Sequence, residues 1–376
     1  MKIALAHKRL DNQGGTEVDF YRTDSGLRDR GHEVHLFCAE FAIEPPRGTY
    51  AHRIPVAPMG RTARLWTFAK IAPKIMRPYS CDLVLSFGRM ICQDVLRSGG
   101  GSHQAFLQKL ADENGPRRRL WQALSPYHQS LLALERRQFQ PGNYKRILAV
   151  STAVKRELLA TYAIPEDKIT VIYNGVDDKR FHLGLRDEFR APMRRQWHIP
   201  SDAPMVLFVG SGFRRKGLDR LLKAWQSPQL KDAYLVVVGD DAKRARYQAL
   251  AEERAKGKVI FVGRRHDVEA YYGAADLLAL PAVQEAFGNV VLVAAAAGLP
   301  AVVSSVVGAA EILEGGLMEG IVSHSEDAEE MANKLLLMLE RGRNGNLSAE
   351  ARQLAKRYSW AKHFSRLEAF LKEAIT

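Results

Sequence analysis

Two spacings alternate along this chain. Short runs of consecutive apolar, often β-branched residues give way to longer stretches in which apolar positions recur every three or four residues. The short runs stand at Lys2–His7 (KIALAH), Glu33–Cys38 (EVHLFC), Asp82–Phe87 (DLVLSF) and Arg146–Ser151 (RILAVS). They return at Pro204–Gly210, Ala233–Gly239, Val259–Gly263, Asp276–Pro281 and Pro300–Ser305. A run that is apolar throughout, rather than alternating, belongs to a strand covered on both faces. Strand then helix, repeated in two sets, predicts an α/β protein with two doubly wound parallel sheets.

The sets part within Lys168–His182, where Asn174-Gly175 is a strong turn signal. The expected domains are residues 1–170 and 171–358. The chain ends in an amphipathic helix, 359–376, with Trp360, Phe364, Leu367, Phe370 and Leu371 on one side. Helical spacing also runs through Arg61–Ser80, by Leu65, Phe68, Ala69, Ala72, Ile75, Met76 and Tyr79. Pro73 is expected to kink or split that helix.

Composition narrows the class. At 376 residues, 46% hydrophobic and 26% charged, the chain is a folded protein too long for one core. No apolar run approaches the ~20 residues of a membrane-spanning helix. The N-terminus turns polar too soon for a secretory leader. Cys38, Cys81 and Cys92 have neither metal-binding nor CxxC spacing, so reduced cytosolic thiols are expected.

Charge adds a partner. The net charge is +13, and residues 1–150 hold 23 Lys and Arg against 13 Asp and Glu. Such an excess suits nucleic acid, a phosphorylated substrate or an acidic membrane surface. The sequence has no helix-turn-helix, zinc or RNP-like motif, so nucleic acid is not expected. Residues 61–80 carry five basic residues and no acid, and 115–127 (GPRRRLWQALSPY) form a second basic-aromatic patch. Either could dock on an anionic membrane or meet phosphates; for 61–80 the alternative is an ordinary helix packed on its domain.

Ligands of doubly wound sheets bind beyond the carboxyl ends of the strands. Four loops there carry candidate chemistry. After the first strand, Gly14-Gly15 opens a helix whose amides suit an anion, and Asp19 follows in its first turns. The alternative for Asp19 is a surface acid that suits the helix dipole. In Gly210–Trp225, Arg214, Arg215 and Lys216 cluster between glycines, placed to neutralise a diphosphate leaving group. Asp240-Asp241 lack a third metal ligand and read as a helix cap. In Phe261–Asn289, Glu285 precedes Gly288: its carboxylate suits sugar hydroxyls, and the Ala286, Phe287 and Gly288 amides suit phosphate. The apolar run after Gly288 fits strand or helix, and its length and closing Gly298-Leu299-Pro300 favour helix.

In this order the loops resemble the retaining glycosyltransferases of family four. The likeness is carried by the glycine pair after strand one, by VSTAVKRELLATYAIPEDKITVIYNGVD (150–177), by Arg215-Lys216-Gly217 and by PAVQEAFGNVVLVAAAAGLPAV (281–302). It covers nearly the whole chain. Stretches such as VGSGFRRKGLDR are similar to the members that add glucose to the heptose of the lipopolysaccharide inner core. The resemblance implies a GT-B fold, two Rossmann-like domains facing a central cleft, with the C-terminal helix crossing back onto the first. The N-terminal domain would take a lipid-linked glycan acceptor and the C-terminal domain a nucleotide-diphosphate sugar, a UDP-sugar first. Arg215 and Lys216, with Gly15, Phe287 and Gly288, would hold the diphosphate. Glu285 would contact the donor sugar, Asp19 would lie near the reacting atoms, and His103 and Arg264 would face the donor sugar and base. The family's E-x7-E motif has a second acid that binds the ribose; here that position is Val293.

For the chemistry, no paired-carboxylate motif announces a covalent intermediate. Same-face substitution is expected, the departing phosphate taking the acceptor proton and Asp19 orienting the hydroxyl or assisting as base. No metal-ligand cluster is seen in the sequence, so no metal is expected. The expected location is cytoplasmic, peripheral on the inner face of the membrane. The alternatives are another surface polysaccharide or glycolipid as acceptor, or a non-catalytic sugar-nucleotide-binding homologue.

Overall fold

The computed structural model describes residues 1–11, 14–114, 125–255, 258–343 and 346–375. Most of the second basic patch, 115–124, lies outside them. The chain divides into two compact units, Met1–Tyr173 with Ala361–Thr376, and Asn174–Trp360.

The first unit is built on a seven-stranded sheet. Its strands are β1 (Lys2–Leu10), β2 (Glu33–Phe41), β3 (Tyr50–Arg53), β4 (Leu83–Ser86), β5 (Val95–Ser98), β6 (Arg146–Ala149) and β7 (Ile169–Val171), in the order β3-β2-β1-β4-β5-β6-β7. All neighbours are parallel. Successive side chains on β1 point to opposite faces, and Ile3, Ala4, Leu5 and Ala6 are all fully buried. Both faces are therefore covered, which is why the run reads as unbroken apolar sequence.

The helix Arg61–Met76 buries Phe68, Ala69, Ala72 and Met76. Phe68, Ala72 and Met76 join Phe37, Ile54 and Met90 in one core cluster. The sequence leads one to expect a kink or split at Pro73, but one helix runs through it. Proline removes the N–H that would bond the carbonyl of Ala69. That carbonyl instead accepts from the Ile91 amide at 3.3 Å, so the backbone group is satisfied from outside the helix. The apolar face thus serves the core, while Arg61, Arg64, Lys70, Lys74 and Arg77 stay exposed.

The second unit holds β8 (Met205–Val209), β9 (Tyr234–Val238), β10 (Val259–Gly263), β11 (Leu277–Leu280), β12 (Ala301–Ser304) and β13 (Ile321–Val322), all parallel, ordered β10-β9-β8-β11-β12-β13. Arg186, Arg190 and Arg194, one turn apart on the helix Leu185–Gln196, converge on Asp276 at 3.2, 2.7 and 2.6 Å. Asp276 also accepts from the Met205 amide. This cluster ties the helix to the amino ends of β8 and β11, opposite the edge where ligands bind. Arg352 similarly ties the carbonyls of Ala296, Phe181 and Asp178 together.

In both sheets the order reverses beside the first strand, between β1 and β4 and between β8 and β11. These switch points open a crevice at the carboxyl ends of the strands. The loops singled out in the sequence follow β1, β8, β9 and β11.

Candidate functional site

The second unit's switch point gathers two loops. After β8 the chain turns through Gly210–Gly217, and Gly217 (φ +78°) starts the helix Leu218–Ala224. A Cβ at Gly217 would stand 1.8 Å from the Pro281 carbonyl oxygen, so only glycine lets the loops lie this close. The Val283 amide donates to the Arg215 carbonyl at 2.9 Å, joining their backbones. Glu285 then accepts from Arg215 Nη1 at 2.7 Å and lies 3.1 Å from Lys216 Nζ. Arg215 also donates to the Gln284 carbonyl. Burial alone would raise the Glu285 carboxyl; the Lys216 and Arg215 cations outweigh it and hold it below the usual range.

Gly288 (φ +91°) caps the helix Asn289–Ala296. The Glu285 carbonyl accepts from Gly308 and the Phe287 carbonyl from Ala309, at 3.1 and 2.7 Å. These bonds fix the turn that leads into the helix. The Phe287 side chain is in the core, so only its backbone can serve a ligand. Asn289 is the one polar side chain of the helix, and its Oδ1 accepts from Asn174 Nδ2 at 2.7 Å. Val293, one turn on, is half-buried. Arg264 is exposed directly after β10. Asp241 accepts from the Lys243 amide within its own turn at 2.8 Å, just ahead of the helix Arg244–Ala255, and from the Phe213 amide of the loop after β8 at 2.9 Å.

The first unit has its own pocket, of about 700 Å³, at the carboxyl ends of β1, β4 and β5. Gly15 begins the helix Gly15–Arg28, with open space where a Cβ would be. Asp19, one turn in, is not the surface acid that its position suggests. It is buried, and it accepts from Arg97 Nη2 at 2.7 Å. Arg97, from β5, is buried too and lies over the Phe87 ring. Glu17, on the same helix, lies 3.6 Å from His7, and the interaction with His7 lowers its carboxyl to about 2.

His103 opens the helix His103–Asn114 and lines the pocket. Its Nε2 is 3.0 Å from His128 Nδ1. Burial, then the Arg89 cation, lowers it to about 4, so it is neutral near pH 7. Its amide donates to Glu135, a buried carboxylate that also accepts from Arg89 and from the Tyr162 hydroxyl.

Sequence reading missed Glu135, Arg89, Glu17 and His7. For Glu135 a signal exists: it shares a helical face with Leu131, Leu134 and Gln138, all buried, and an acid on such a face needs partners. The nominated residues fall into two groups. Arg215, Lys216, Glu285, Phe287, Gly288 and Arg264 belong to the second unit, with the first three in contact. Gly15, Asp19 and His103 belong to the first. Among the described residues no group of three or more His, Cys, Asp or Glu could hold a metal ion.

Two Rossmann-ordered parallel sheets, with a glycine-flanked cation cluster at the second switch point, define the class: the GT-B glycosyltransferases. The solved structure of WaaG, a glycosyltransferase involved in lipopolysaccharide biosynthesis, has this fold, with a TM-score of 0.81 at 24% identity, covering 98% of this chain and 99% of that one. The Anabaena protein HepE, solved in complex with UDP and glucose, superposes with a TM-score of 0.73 at 18% identity over 99% of each chain. In sequence, residues 13–180 match the family model described as Glycosyltransferase Family 4, and residues 189–358 the model described as Glycosyl transferases group 1. The lipopolysaccharide glucosyltransferase WaaG of Escherichia coli K12 is 29% identical over 307 residues, 80% of this chain and 79% of that one. The chain belongs to the family 4 glycosyltransferases.

Proposed function

We propose that the protein is a retaining hexosyltransferase that moves a hexose, glucose first, from a nucleotide-diphosphate sugar to a lipopolysaccharide core or related cell-envelope glycan. The observation that carries this reading is the contact of Arg215 and Lys216 with Glu285 at the second switch point. Two cations at that place suit a diphosphate, whose negative charge grows as its bond to the sugar breaks. A carboxylate beside them suits sugar hydroxyls. The likeness to WaaG supports the acceptor class, and the UDP and glucose named with HepE support a UDP-sugar donor.

In this reading residues 171–358 bind the donor and residues 1–170, with the C-terminal helix, bind the acceptor. Lys216 and Arg215 stabilise the departing diphosphate, helped by Gly15 and by the backbone at Phe287 and Gly288. Glu285 holds sugar hydroxyls, and His103 and Arg264 face the donor sugar and base. The leaving phosphate takes the acceptor proton on the face it departs from, and Asp19 orients the acceptor hydroxyl. Two fixed cations do the charge neutralisation asked of a divalent ion in other transferases, so turnover is expected to persist in excess EDTA.

We also propose that the enzyme docks on the cytoplasmic face of an anionic membrane. Because the apolar face of Arg61–Met76 is used in the core, docking rests on charge: Lys70, Lys74 and Arg77 share one exposed side of that segment. No helix among the described residues is long and apolar enough to cross a membrane. Triple reversal of these residues to glutamate is expected to abolish sedimentation with phosphatidylglycerol vesicles; unchanged binding refutes the docking.

The test of the main reading is incubation with UDP-, GDP- and ADP-sugars, with and without a heptose-terminated core acceptor. Transfer with the anomeric configuration kept supports it. Inversion, or no cleavage of any donor, refutes it.

A further inference from the structure

Arg215 and Lys216 already hold an anion, and it is the protein's own. Glu285 Oε2 accepts from Arg215 Nη1 at 2.7 Å and stands 3.1 Å from Lys216 Nζ. The side chains of Lys216 and Glu285 are 11% and 16% exposed, so this contact is poorly screened by water. The Glu285 backbone is pinned through Gly308 and bridged to Val307. Only its side chain is placed to move.

Two cations beside one carboxylate offer an entering diphosphate a single net positive charge. The phosphates must share the cations with Glu285 or take them from it. A largely buried carboxylate stripped of its donors is costly unless new ones arrive. An intact nucleotide sugar brings such donors, the hydroxyls of its sugar. The nucleoside diphosphate left after transfer brings phosphate alone, which the carboxylate repels.

We propose that Glu285 is an internal counter-ion of the diphosphate site that makes the second unit favour an intact nucleotide sugar over the nucleoside diphosphate it leaves behind. This rests on the donor-site reading above. It assigns the carboxylate a second task, release of product, by weakening the site for an anion that carries no sugar.

Calorimetric titration tests it, with the pairs UDP and UDP-glucose, GDP and GDP-mannose, and ADP and ADP-glucose, and with inorganic pyrophosphate. In the wild-type protein the nucleotide sugar of the accepted pair should bind more tightly than its diphosphate. In Glu285→Gln the diphosphate and pyrophosphate should bind at least fivefold more tightly than in the wild type. The nucleotide sugar should gain less or lose affinity, so that the order closes or inverts. Glu285→Ala should tighten the diphosphate in the same direction, which separates charge from shape. The inference is overturned if the wild type binds the diphosphate more tightly than the sugar nucleotide, or if removing the carboxylate leaves diphosphate affinity unchanged or lower. Either result leaves the donor site standing. A wild-type protein that binds none of the three pairs overturns the donor reading, and this inference with it.

Discussion

Removing the Asp19 carboxylate should destabilise the first unit before it says anything about chemistry. Asp19 and Arg97 are 4% and 6% exposed and bonded at 2.7 Å. Deleting one member of a buried ion pair leaves the other charge in low dielectric and costs roughly 3–5 kcal/mol. Total stabilities are about 5–15 kcal/mol, so Asp19→Ala spends a large part of the margin. At a urea dependence of about 2 kcal/mol/M, a loss of about 4 kcal/mol lowers the midpoint by about 2 M. Urea titration followed by circular dichroism reads this. Asp19→Leu with Arg97→Met replaces the pair by apolar groups, and such exchanges are often neutral in stability. The double variant should recover most of the midpoint. If Asp19 orients the acceptor, transfer stays lost in that stable variant. A midpoint for Asp19→Ala within about 0.3 M of wild type would refute the reasoning about the pair.

Three further outcomes follow from the geometry. Gly217→Ala places a methyl against the Pro281 carbonyl at a φ of +78°; loss of donor binding and a lower melting temperature are expected, and wild-type values for both would contradict the loop packing. His103 and His363 are both lowered to about 4, chiefly by burial. Above pH 6.5 they are neutral folded or unfolded; between 6.5 and about 4 only the unfolded chain takes their protons, so stability falls with pH by up to about 1.4 kcal/mol per pH unit for each. Urea titrations across that range should show a shallower slope in His363→Asn, and an unchanged slope contradicts the assignment. Val293→Glu should tighten a UDP-sugar, as read by calorimetry, if this helix face meets the ribose; equal affinity places ribose recognition elsewhere.

The fold was legible where strands are apolar throughout. Each quoted run falls on a strand, because a strand covered on both faces favours apolar residues at nearly every position. The strands that were not read, Tyr50–Arg53, Val95–Ser98, Ile169–Val171 and Ile321–Val322, are two to four residues long, and YAHR and VLRS are half polar. They are strands because a neighbour pairs with them, which no local pattern records. Pro73 shows the same limit: the bond that spares the helix comes from Ile91, outside its period.

At the candidate site, residue types and turns were legible and partnerships were not. Arg215, Lys216 and Glu285 could be nominated one loop at a time. Their contact spans about 70 positions of sequence and exists only because Gly217 lets two loops touch. Asp19 looked like a surface acid because its partner is 78 residues away on β5. Glu135 went unread although its place on a buried helical face was visible.

In the proposed function Lys216, beside Arg215 and Glu285, drives departure of a nucleoside diphosphate from a sugar with its configuration kept. Proton NMR of UDP-glucose, with wild type and with Lys216→Ala, reads that departure. Slow release in which α-glucose precedes β-glucose is expected, with loss of at least 99% of that rate, a factor worth about 2.7 kcal/mol, in a folded Lys216→Ala protein. Release of β-glucose first, or a variant as active as the wild type, would contradict it.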